Sequence, residues 1–233
     1  MITRMNTKIG AIIQARMSSK RFPGKVLYEV KGKPLIQYII ESLQQCRAVN
    51  EMVVATSSDE SDTPIEIFCD ERGICCFRGN LLNVADRFRE TALKFGYDGF
   101  VRINGDSPVI DYRLIDRAVS IFCEGDYDVV TNVLVRTFPK GQSVEVLKTS
   151  SFVEACMNLS DDDDREHVTR YLYRNADHYR IYNIQSSRNY STVQLSVDTR
   201  EDMERFKALI NRMNRFHWEY TVDELVSIRS SLS

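Results

Sequence analysis

The sequence predicts an α/β chain: a mostly parallel central sheet flanked by helices. Three observations predict it. Strand-like and helix-like segments alternate from the first apolar run to the C-terminus, the βαβ pattern. The first run, Ile9 to Ile13, is continuously apolar, as a strand covered on both faces must be. No repeat, low-complexity stretch or linker interrupts the 233 residues, so one domain over 1–233 is expected.

Taken in order, "KIGAIIQA" (8–15) is a buried parallel strand, and "PLIQYIIESLQQC" (34–46) is a helix entered by Pro34, whose missing N–H costs nothing there. "EMVVATS" (51–57) is the next strand. "TPIEIFCDERG" (63–73) is a helix closed by Gly73, "ICCFRG" (74–79) a short strand, and "NVADRFRETALKFG" (83–96) a helix stopped by Gly96. "DGFVRING" (98–105) is a strand that ends in a polar turn. Next come the helix "DYRLIDRAVSIFCEG" (111–125), the strands "YDVVTN" (127–132) and "VEVLK" (144–148), and the helix "SSFVEACMNL" (150–159). "SDDDDREH" (160–167) is the one strong charge cluster. It predicts a solvated helix entry whose acids face the positive end of the dipole, leading into a helix that runs to about Asn175. A strand "YRIYNI" (179–184), a polar loop "QSSRNYS" (185–191) and a strand "VQLSV" (193–197) follow. In the next helix Met203, Phe206, Ile210 and Met213 share one face, and Thr199 with Asp202 forms its capping box.

Composition narrows the function. A net charge of −2, with 43% hydrophobic and 27% charged residues, argues against nucleic acid as the main partner. No apolar stretch reaches membrane-spanning length, and the N-terminus MITRMNTK lacks the apolar core of a signal peptide, so a cytoplasmic protein is expected. The six cysteines show no paired C-x-x-C spacing and are expected to be free thiols.

Against that mild overall charge, "QARMSSKRFPGKVL" (14–27) gathers Arg16, Lys20, Arg21 and Lys25 around two serines, a proline and a glycine. The stretch follows a parallel strand, which places it at the carboxyl edge of the sheet, where α/β proteins bind ligands. Small residues let backbone N–H groups approach an anion, and guanidinium forks with an ammonium neutralise it, so the loop suits a polyphosphate. It is neither a Walker loop nor a G-x-G-x-x-G turn. Two aspartates also stand where strands are expected to end. Asp106, in "NGDSP", fits either a turn or a metal ligand. Asp198, beside Thr199, fits either a helix cap or a metal ligand.

The segment "IIQARMSSKRFPGKVL" (12–27) resembles the R-x-x-S-x-R-x-P-G-K signature of the CMP-sugar cytidylyltransferases. The resemblance is closest to the branch containing the spore coat polysaccharide biosynthesis protein F, related to enzymes that activate 3-deoxy-manno-octulosonate and sialic acids. "FRGNLLNVADRF", "VRINGDSPVIDYRLID", "REHVTRYLYRN" and "LSVDTREDMERF" resemble later blocks in the same order, so nearly the whole chain is covered. Ser143 departs from the pattern, standing where the branch often has an aspartate.

What the resemblance implies is a nucleotide-diphospho-sugar transferase, Rossmann-like fold and transfer of CMP from CTP to an acceptor hydroxyl with release of pyrophosphate. Arg16, Arg21 and Lys25 would hold the triphosphate, Ser19 and Gly24 would offer backbone donors, and Asp106 and Asp198 would ligate Mg²⁺. Ala15, Asn104 and Arg87 are the candidates for the base. Arg165 and His167 would meet an acidic sugar or hydroxy acid. The resemblance further implies a homodimer built through about 131–150. A nucleotide-sugar-dependent glycosyltransferase is the rival; the P-G-K loop and the lack of a D-x-D after a central strand count against it.

Overall fold

The computed structural model describes residues 7–232. The N-terminal stretch read above for a signal peptide lies, for residues 1–6, outside the described residues. Strands β1 (Ile9–Gln14), β4 (Glu51–Ser57), β5 (Cys75–Gly79), β6 (Gly99–Asn104), β7 (Val129–Thr131), β8 (Glu145–Lys148) and β9 (Ile181–Asn183) form one seven-stranded sheet in the order β5-β4-β1-β6-β8-β7-β9. β2 (Glu29–Val30) and β3 (Lys33–Pro34) form a small separate ribbon. The sheet is parallel except around β8, which runs antiparallel to β6 and to β7.

β1 lies inside the sheet between β4 and β6, and its residues point alternately to two cores. Ala11 and Ile13 pack with α1 (Leu35–Leu43), α2 (Thr63–Asp70) and α4 (Tyr112–Glu124). Ile12 packs on the other face with α3 (Val84–Lys94), α5 (Thr149–Met157), and Leu172 of α7 (Arg170–Arg174). A third core joins Val30 and Tyr38 to α8 (Arg200–Arg212) and α9 (Val222–Ser230), with Met203, Phe206 and Ile210 inward as the helical spacing requires. The β1–β6 register places Gln14 beside Asn104, so two side-chain amides end adjacent strands at the carboxyl edge.

Two segments differ from the sequence reading. "VQLSV" is no strand of the sheet. Leu195 and Ser196 donate their amides to the Lys140 carbonyl (2.8 and 3.1 Å), while Val197 donates to the Asp106 carbonyl (2.8 Å), so its donors serve two separate loops and no ladder forms. The single helix expected to reach Asn175 is two: α6 (Asp162–Glu166) and α7, broken at His167–Thr169. Within the acidic run Asp161 caps α6 by accepting from Asp164 N (2.7 Å), but Asp164 is fully buried and paired with Arg174, so the run is not uniformly solvated.

Gly141 allows the 193–198 segment to close on the sheet. Its φ is +93°, and a Cβ there would meet Ser196 N at 2.5 Å and Leu195 C at 2.7 Å. Gly141→Ala is expected to cost about 2 kcal/mol, a Tm drop of about 4 to 8 °C in a thermal melt. An unchanged Tm would show that the loop relaxes freely.

Candidate active site

The loop after β1 is built from its own backbone. The amides of Ser19 and Gly24 both donate to the Met17 carbonyl (2.9 and 2.8 Å), and Gly24 sits at φ +73° before a 3-10 turn, Lys25–Leu27. Those two amides are therefore spent inside the loop, and the expectation that they face an anion is corrected. Among the described residues the amides of Ser18, Lys20 and Arg21 donate to no protein atom. Asp62, fully buried, anchors the loop from the far side: it accepts from Met17 N at 2.6 Å and from Ser57 N at 3.1 Å.

A cavity of about 310 Å³ opens above the edge, and Arg16, Ser19, Lys20, Arg21 and Lys25 all line it. Facing them are Asn104, Asp106 and Asp198. Gly105 permits this approach, since a Cβ on it would lie 2.5 Å from the Gln14 carbonyl. Lys25 is nearly buried, and its Nζ donates to Val197 O (2.7 Å), Asp198 Oδ1 (3.1 Å) and Asp106 Oδ2 (3.4 Å). Arg21 reaches the same Asp198 oxygen at 2.8 Å. Asp198 does not cap α8. Thr199 does, accepting from Asp202 N at 3.1 Å, while Asp202 Oδ2 accepts from Thr199 N and Asp198 N (3.0 and 3.1 Å).

Among the described residues no three His, Cys, Asp or Glu side chains gather as a metal cage. Two carboxylates converging on one ammonium is a different donor set. It fits Mg²⁺, which takes one or two protein carboxylates and fills its remaining positions with phosphate and water.

Other expected residues fall elsewhere. Arg87, in α3, is fully buried; its Nη1 donates to the Asn80 carbonyl (2.8 Å), and burial pushes its pKa down to about 10 despite the nearby Asp62 carboxylate. It does not line the cavity, and Asp86 pairs with Arg89 (2.6 Å) instead of with it. Arg165 pairs along the helix surface with Asp162 (2.7 Å), also away from the cavity. The side chain that arrives is the next one, Glu166, with His167. Ala15 is buried beneath the loop, its amide donating to Ala55 O (3.3 Å). Ser143 accepts from Arg136 (3.1 Å) and does not line the cavity.

The sequence reading also passed over Gln14, Asp62 and Glu166. A polar residue closing an apolar strand was the available signal for Gln14; Asp62 and Glu166 look like ordinary helix-entry and helix-surface acids.

Cations and free amides on a loop after the first parallel strand, facing paired carboxylates across a cavity, make a nucleotide-handling enzyme of the Rossmann-like α/β class. The chain belongs to the cytidylyltransferase family. The family profile described as Cytidylyltransferase matches residues 10–223. The chain is 31% identical to the spore coat polysaccharide biosynthesis protein SpsF of Bacillus subtilis over 210 residues, covering 86% of this chain and 85% of that one. It is 37% identical to a 3-deoxy-manno-octulosonate cytidylyltransferase of Geobacter sulfurreducens over 116 residues, 50% of this chain and 46% of the other. Among solved structures, a cytidylyltransferase of Leptospira borgpetersenii superposes with a TM-score of 0.92 at 27% identity, covering 97% of this chain and 95% of its own.

Proposed function

We propose that this protein transfers CMP from CTP to a hydroxyl of an acidic sugar or related hydroxy acid, in the cytoplasm, for surface polysaccharide or glycoconjugate synthesis. The observation that carries the reading is Lys25 held between Asp106 and Asp198 in the cavity that Arg16 and Arg21 also line. In the reaction the acceptor hydroxyl gives up its proton to water as its oxygen bonds to the α-phosphorus, the bond from that phosphorus to the bridging oxygen breaks, and pyrophosphate leaves with the electron pair. Negative charge grows on the phosphate oxygens. Arg16 and Arg21 can each grip two of them, and Lys25 supplies a point charge beside the leaving group.

To do so Arg21 and Lys25 must give up Asp198. Asp106 and Asp198 would hold Mg²⁺, which when bound neutralises phosphate charge. The amides of Gln14 and Asn104, which line the cavity, would offer donors and acceptors to a cytosine edge, and His167, which also lines it, would meet the acceptor. Exposed Leu134 and Val135, within the segment 131–150, support a homodimer contact.

CTP with Mg²⁺ is expected to raise the Tm more than ATP, GTP or UTP. At about a hundred times its Kd the gain is about 2.7 kcal/mol, or about 5 to 10 °C. A larger shift with ATP or GTP overturns the cytidylyl reading. Pyrophosphate release with a panel of acidic sugars then identifies the acceptor.

A further inference from the structure

Arg16, the first cation of the phosphate loop, already has an anion: its Nη2 lies 3.0 Å from Glu166 Oε1. Both side chains line the nucleotide cavity, and both keep solvent contact, at 28% and 43% exposure. Glu166 is the last residue of α6, and the backbone around it is fixed. Asp161 caps the helix, Asp164 is buried against Arg174, and Tyr173 of α7 donates to buried Glu145 at 2.5 Å. Burial works to raise the Glu145 carboxyl, and the Arg102 guanidinium with the Tyr173 and Thr169 hydroxyls holds it below the ordinary glutamate range, so that anchor stays ionised. Glu166 can therefore change partners by rotating its side chain alone.

Its neighbour His167 lines both the nucleotide cavity and a second one of about 440 Å³, shared with Arg102, Thr169 and Tyr173. His167 thus stands where the two cavities meet.

We propose that Glu166 is a positioning residue for Arg16 that the triphosphate displaces. It holds the guanidinium toward the cavity before nucleotide enters, and yields it to phosphate oxygens. Its carboxylate is then free beside His167, at the entrance through which a hydroxyl acceptor would approach. The inference rests on the nucleotide-transfer reading above.

The test is isothermal titration of CTP and of ATP, each with Mg²⁺, and separately of inorganic tripolyphosphate, into wild type, Glu166→Gln, Arg16→Ala and the double variant. A half-exposed ion pair is worth up to about 1 kcal/mol, so Glu166→Gln is expected to tighten both ligands about two- to fivefold. In the Arg16→Ala background the same change is expected to have no effect. Unchanged or weaker binding in Glu166→Gln overturns the inference. So does equal tightening with and without Arg16, which would be a general charge effect. Coupling seen with tripolyphosphate, but no preference for CTP over ATP, would remove the cytidylyl reading and leave the Glu166 exchange standing. Selective CTP binding without coupling would do the reverse.

Discussion

Lys25→Ala is expected to lower turnover about 10² to 10³-fold at saturating CTP, the scale for removing a preorganised group that meets developing charge. The side chain is held too firmly for a mere surface ornament: three acceptors take its ammonium, and only 10% of it is exposed. Its removal also leaves the Asp106 and Asp198 carboxylates facing one another without a shared cation, and strips a donor from the Val197 carbonyl. Both carboxylates keep about a quarter of their surface in water. The stability cost is therefore below that of a fully buried pair, about 1 to 3 kcal/mol. Mg²⁺ is expected to restore part of it, because a divalent cation replaces the missing one. Pyrophosphate release and thermal melts with and without Mg²⁺ measure the two effects separately. Near-native turnover in Lys25→Ala would make the loop a surface feature and remove it from the chemistry.

The central strands and the cationic loop were legible because each carries its signal locally. β1 carries the apolar run Ile9–Ile13 and β4 the run Met52–Ala55, and Arg16, Lys20, Arg21 and Lys25 crowd one strand end. What escaped depends on contacts distant in sequence. The 193–197 run alternates like a strand, yet Lys140 and Asp106 divide its backbone donors. Between Asp162 and Asn175 the sequence holds no glycine or proline, so nothing local marks the break at His167–Thr169. Glu166 lines the cavity while Arg165, one residue earlier on α6, pairs along the helix surface. Arg87 shows the same limit from the other side: an arginine in a helix reads as available, and here the Asn80 carbonyl and the surrounding core enclose it. The Ser19 and Gly24 amides were misread because composition shows that a backbone can come close to an anion, but not which amides are already spent on Met17.

Asp106→Asn and Asp198→Asn are each expected to lower turnover about 10²-fold or more and to raise the Mg²⁺ concentration needed for half-maximal rate, as loss of a shared charge at the phosphates requires. Asparagine keeps size and hydrogen bonding, so a turn or a cap would tolerate the exchange. For Asp198 the cap reading has lost its ground: Thr199 and Asp202 complete the capping box on α8 without the Asp198 carboxylate. That carboxylate is committed to Lys25 and Arg21, and the Val197 amide bond to the Asp106 carbonyl brings it to the end of β6. Two acids far apart in sequence thus act at one point through one backbone contact. The double variant is therefore expected to be little slower than either single one, because groups that act as a unit lose their effect together. Losses that multiply would mean that each carboxylate serves the reaction separately. Full activity in Asp198→Asn at ordinary Mg²⁺ would reduce Asp198 to an anchor for Lys25 and leave Asp106 with the phosphates as the metal's only ligands.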